Sequence, residues 1–178
     1  MIKIIATLLT IFAFSTSHAK KVNVGIILGF TGPIESLTPD MAAGAELAFS
    51  EASDSGNLLN GSTINVIRAD STCIDSAAAT SAAEGLVSQG VTAIMGADCS
   101  GVTGAILSNV AVPNGVPMIS PSATSPGLTT AEDNGLFFRT APSDARGGEV
   151  LADITADRGI TSVAITYVNT DYGVGLAD

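Results

Sequence analysis

Histidine is almost missing from this sequence: its single copy is His18, and it lies beside the end of an amino-terminal apolar run. Without imidazole, the rest of the chain lacks the commonest general base and the commonest nitrogen ligand for a metal. Most Ser-His hydrolase arrangements and most zinc sites fall away on that ground. No metal and no cofactor is expected. Basic residues are also scarce, with 7 Lys and Arg against 17 Asp and Glu. A nucleic-acid partner needs a basic footprint, so it is excluded. An anionic membrane surface is excluded by the same shortage. Cysteine occurs twice, at Cys73 and Cys99. There is no repeat and no low-complexity linker; G-x-G-x-x-G, G-K-[ST] and G-x-S-x-G are absent, and Ser-x-x-Lys occurs only as Ser17-His18-Ala19-Lys20, at the end of the amino-terminal apolar segment. These gaps argue against an enzyme.

The first nineteen residues have the order of a cleavable export signal. Lys3 supplies a short positive region, and Ile4 to Phe14 (IIATLLTIFAF) an uncharged apolar run. Ser17-His18-Ala19 is a small-x-small cleavage site, so the chain is cut after Ala19 and begins at Lys20. The apolar run falls short of the ~20 residues that span a bilayer. A buried strand or a membrane anchor are the other readings of such a run. Lys20 stands where a lipid-modified protein would have cysteine. A periplasmic protein with no direct membrane insertion is expected. Cleavage also removes the only histidine, and with Lys3 gone six basic residues face seventeen acidic ones, a net charge of −11. In an exported chain an even pair of cysteines reads as a disulfide. Two free buried thiols or a redox pair are the alternatives, and the spacing is far from C-x-x-C.

Beyond the signal, apolar strand-like runs alternate with helical patterns. Strands are expected at Val22–Leu28, Thr63–Ala69, Thr92–Gly96, Pro117–Ser120, Leu136–Thr140 and Ser162–Val168. The first helix should open with Thr38 as its cap and Pro39 at its first position, and stop at Gly56 and Asn57. Further helices are expected at about Ile74–Ser88, at about Ser100–Val112, after Pro142-Ser143-Asp144, and from Asp171. Ser122 to Asn134 reads as a polar, turn-rich loop. Continuous apolar strands separated by helices are the signature of an α/β fold, a parallel sheet with helices on both faces. Asp178 falls only a few residues into the last helix, too short to stand alone. The sequence therefore reads as an amino-terminal fragment.

Ligands of open α/β sheets bind beyond the carboxyl ends of strands, at helix amino termini. Gly29-Phe30-Thr31-Gly32-Pro33 reads as a tight turn more than a phosphate cradle. In Gly96-Ala97-Asp98-Cys99-Ser100, Ser100 stands where a helix starts; it could receive a carboxylate or simply cap its own helix. In Ser120 to Pro126, the Ser122 and Thr124 hydroxyls could accept from an ammonium group or form ordinary turns. Tyr172 follows a strand and precedes a helix, so it either points into a cleft or packs beside a capping Asp171.

VNVGIILGFTGPIE, the spacing of Cys73 and Cys99, GADCSGVT, MISPSATSP, FFRTAPSD and DYGVGLA occur in that order. With them the chain resembles the type I periplasmic solute-binding proteins, specifically the branched-chain amino-acid-binding group. The resemblance implies two α/β lobes closing on a ligand. It places the first lobe at 20–141 and the truncated start of the second at 142–178. It implies that Ser100 receives the ligand α-carboxylate, that the Ser122, Ala123 and Thr124 loop holds the carboxylate and ammonium, and that Tyr172 closes from the second lobe. Cys73 and Cys99 match the family disulfide. Leu37 falls where relatives with aliphatic ligands often place an aromatic ring. The implied function is that of a substrate-binding protein delivering a small zwitterion to the permease of an ABC importer, most simply a branched-chain or other aliphatic amino acid. A sensor module of the same fold, or one for amides or urea, is the alternative.

Overall fold

Five runs of apolar residues pair into one parallel sheet in the computed structural model, which describes residues 19–178. The expected export signal, Ala19 apart, lies outside the described residues. Strands β1 (Lys21–Leu28), β2 (Thr63–Asp70), β3 (Ala93–Gly96), β4 (Met118–Ser120) and β5 (Phe137–Arg139) stand in the order β2-β1-β3-β4-β5. Because β1 lies between β2 and β3, the chain reverses its direction of winding there. Crevices in open sheets form at such a point, outside the carboxyl ends of the strands.

Successive residues of each strand point to opposite faces, and each face has its own cover. Ile27, Ile94 and Met118 pack with Ala79, Ala83 and Leu86 of α2 (Ser76–Ser88) and with Val102 and Ile106 of α3 (Ser100–Ile106). Ile26, Leu28, Val66 and Met95 face Ala42, Ala45 and Phe49 of α1 (Thr38–Asp54). Each large apolar side chain so buried contributes about 1.5–3 kcal/mol. Alanine on the buried faces of α1 and α2 lets those helices lie close to the sheet. At the start of α2, Asp75 accepts hydrogen bonds from the Ala77 and Ala78 N–H groups, both at 3.0 Å. After α2, Gly90 turns the chain at φ +74°.

Several expected boundaries shift. Thr38 does not cap α1; its hydroxyl donates instead to the carbonyls of Gly29 and Glu35, fastening the helix to the loop after β1. The helix expected over Ser100–Val112 reaches Asn114 by way of a π-helical turn, Leu107–Ala111, and a short last turn, α4 (Val112–Asn114). The polar loop after Ser122 contains a 3₁₀ turn at Pro126–Thr129. Helices α5 (Asp144–Asp157) and α6 (Asp171–Ala177) form where expected, but Thr170, not Asp171, caps α6. The largest departure is Ser162–Val168. This run pairs with no strand among the described residues, and its side chains are exposed. An apolar run becomes a strand only where a neighbour completes its ladder.

At the end of β2, Asp70 ties two loops together. It accepts from the Thr31 hydroxyl at 2.6 Å and from the Thr72 N–H at 2.8 Å. Burial pushes its carboxyl up, but the hydrogen bonds from Thr31, Thr72 and Phe30 outweigh this and hold it below the ordinary carboxylate value. A lowered folded-state value contributes stability above the unfolded-state value, and that contribution is lost as pH falls through the folded one. Asp70→Asn is therefore expected to destabilise at neutral pH and to match the parent in strong acid. Urea melts of both proteins across the acid range check this; a gap that widens on acidification would contradict it.

Candidate functional site

The loops after β1, β2 and β3 are drawn together by one buried carboxylate. Asp98, 3% exposed, accepts from the Gly29 N–H at 2.8 Å, the Ser71 hydroxyl at 3.3 Å and the Cys99 N–H at 3.0 Å. Its own carbonyl accepts from the Ser122 hydroxyl at 2.9 Å. Every oxygen of this group is thus used to hold a loop. Next to it, Cys73 and Cys99 form the disulfide, which joins the loop after β2 to the first residue before α3. Both devices fix the backbone on which Ser100 sits.

Ser100 is 3% exposed at the first position of α3. Its hydroxyl does not cap its own helix. It accepts from the Ser125 N–H at 3.1 Å, so its proton stays available to donate. Ser122 and Thr124 are set the other way. Ser122 donates to the Asp98 carbonyl, and Thr124 donates to a carboxylate oxygen of Asp144 at 2.6 Å. With their protons engaged, these two hydroxyls offer only lone pairs. Ala123 is fully buried, and its N–H donates to the Ser120 hydroxyl at 2.9 Å. The backbone carbonyls of this loop are also taken. Arg139 donates to Ala123 at 3.4 Å and Ser125 at 2.9 Å, and the Asp144 N–H donates to Thr124 at 3.0 Å.

A cleft of about 820 Å³ opens beside this cluster. Ser100, Ser125 and Leu128 line it on the sheet side, and Asp144, Asp171 and Val174 on the side of α5 and α6. Of the residues expected to bind, Ser100 lies on its wall, while Ser122, Ala123 and Thr124 lie just behind. Leu37 and Tyr172 do not line it and are 60% and 44% exposed. Helix α6 comes close because glycine stands at the contacts, Gly175 on α6 and Gly101 on α3. A Cβ at Gly175 would stand 2.8 Å from the Ser125 hydroxyl, and one at Gly101 would stand 3.3 Å from an Asp171 carboxylate oxygen.

Reading the sequence alone missed Asp98, Ser125, Arg139 and Asp144. Their roles depend on partners far along the chain: Asp98 meets Gly29 across 69 residues, and Thr124 meets Asp144 across 20. The one available signal was an acidic residue in a loop whose neighbours are small or apolar.

The comparisons with known proteins agree on one group. A family model described as periplasmic binding protein matches residues 21–178. The Leu/Ile/Val-binding protein homolog 1 of Brucella melitensis is 34% identical over 174 residues, which is 96% of this chain and 45% of that protein. Among solved structures, the branched-chain amino acid transporter substrate-binding protein LivJ of Streptococcus pneumoniae, in complex with isoleucine, has a TM-score of 0.68 at 31% identity. That match covers 78% of this chain and 39% of LivJ. An ABC transporter substrate-binding protein of Desulfitobacterium hafniense, in complex with Leu, has a TM-score of 0.71 at 28% identity, over 89% of this chain and 45% of its own. The chain spans less than half the length of the curated relatives it matches.

Proposed function

Because the chain belongs to the periplasmic binding protein family, we propose that the whole protein is the substrate-binding component of an ABC importer and takes a branched-chain or other aliphatic amino acid. The observation that carries this reading is the sorting of hydroxyl protons: Ser100 keeps a proton to donate, while Ser122 and Thr124 keep only lone pairs. A zwitterion needs both kinds of group, a donor for its carboxylate and acceptors for its ammonium. The unpaired N–H groups at the start of α3 favour the carboxylate at the same end as Ser100.

In this reading residues 20–141 form the first lobe and 142–178 the beginning of the second. Ser100 receives the carboxylate. Ser122, Ala123 and Thr124 frame the ammonium end, with Leu37 and Tyr172 brought onto the ligand when the lobes close. Export and cleavage after Ala19 deliver the protein to the periplasm, where a membrane permease receives the ligand. Neither step involves catalysis.

Titration calorimetry of the full-length protein tests the reading. Heat is expected from at least one of leucine, isoleucine and valine, and not from urea, aliphatic amides or benzoate. A protein silent with every aliphatic amino acid, or one that answers only to an amide or an aromatic acid, would sink it.

A further inference from the structure

The contact between Thr124 and Asp144 decides what Thr124 can recognise. An ionised carboxylate accepts hydrogen bonds and has none to donate, so the proton in the 2.6 Å contact is the threonine's. The Asp144 N–H also donates to the Thr124 carbonyl, at 3.0 Å. Two bonds between the same two residues fix their relative position and leave the carbonyl one lone pair. The Thr124 side chain has only lone pairs left to offer. Asp144 is itself held in place, in the first turn of α5, by the Ser143 cap, whose hydroxyl accepts from the Ala145 N–H at 3.3 Å.

The surroundings add charge of one sign. Asp144, Glu149, Asp171 and Asp178 line the cleft, and among the described residues no lysine or arginine does. A ligand with a carboxylate alone would find a donor at Ser100 but nothing to offset these acids. A ligand that also carries an ammonium group would satisfy both.

We propose that Asp144 is a positioning residue for the ligand's ammonium group: by taking the Thr124 proton it makes Thr124 a pure acceptor, and so selects amino acids over the corresponding carboxylic acids. The proposal rests on the amino-acid reading given above. Asp144→Asn keeps the size of the side chain, but its amide can turn to donate to Thr124 and occupy the lone pair an ammonium needs.

The test titrates full-length protein with leucine and with 4-methylpentanoate, which is leucine without its amino group. Wild type, Asp144→Asn, Thr124→Val and the double variant are compared. Asp144→Asn is expected to weaken leucine binding by about tenfold to a hundredfold, the range of a hydrogen bond to a charged group. Binding of 4-methylpentanoate should stay within about twofold, and Asp144→Asn made on top of Thr124→Val should cost leucine nothing further. Equal losses for both ligands, or fully additive losses in the double variant, overturn the role of Asp144 while leaving the amino-acid reading intact. A wild-type protein that gives no heat with leucine overturns that reading and the proposal with it.

Discussion

Gly96→Ala is expected to destabilise the fold severely, by about 2–6 kcal/mol. Gly96 ends β3 at φ +132°, and a Cβ there would run into the carbonyl oxygen of Ile27 and lie 2.9 Å from its Cγ2. Ile27 belongs to β1, the strand that pairs with Gly96 in the ladder, and its side chain is fully buried. Neither strand can move aside, because β1 is held by β2 and β3 is held by β4. Backbone strain of about 1–3 kcal/mol and overpacking of about 1–3 kcal/mol then add. The sum, about 2–6 kcal/mol, is a large part of the stability of a typical domain, roughly 5–15 kcal/mol. Gly85→Ala is the matching control. Gly85 lies within α2 with no atom within 4 Å of its added Cβ, and alanine there should stabilise by about 0.5–1 kcal/mol. Urea melts followed by circular dichroism separate the two. A Gly96→Ala protein that unfolds at nearly the parental midpoint would refute the packing argument.

Removing the disulfide is expected to have the next largest effect. The bond joins residues 26 apart. In the chain-entropy account, opening such a loop costs about 3–4 kcal/mol. That corresponds to a fall in Tm of roughly 10 °C for a lobe of this size. The loss falls beside the proposed ligand loop, since Cys99 immediately precedes Ser100. Thr72 and Cys73 sit at φ +58° and +70°, a region that non-glycine residues adopt only under constraint. Freed from the bond, this turn should relax, and affinity should drop along with stability. Calorimetric melts of wild type with and without reductant, and of a Cys73→Ala, Cys99→Ala protein, check the point. Reductant should lower the first and leave the double variant unchanged. A double variant as stable as the oxidised parent would contradict it.

The sequence carried the sheet clearly because each paired strand is a run of apolar residues that ends at a turn or a helix cap. VNVGIIL and TINVIRA can be read in isolation, and both appear within a residue of their expected bounds. SVAITYV has the same local character and is not a strand among the described residues, because pairing is a property of two segments. The candidate site divides in the same way. Ser100 was legible from its place at the start of a helix after a strand. That its proton is free depends on Ser125, and the acceptor character of Thr124 depends on Asp144. Which way a hydroxyl points is written in the fold, and a linear pattern holds no trace of it. Asp98 shows this most plainly, since a lone acidic residue in a loop gives no hint of the two donors brought to it from 69 and 27 residues away.

The order of the strands also bears on how the chain assembles while it is being made. Asn23 on β1 meets Asn65 across 42 residues and Thr92 across 69. The first strand to emerge from a ribosome is thus flanked on both sides only after the chain has been synthesised to about residue 96. Non-local parallel pairing of this kind is intrinsically slow. A polypeptide that cannot close its central strand early remains threadable for longer, which fits the export proposed above for this chain.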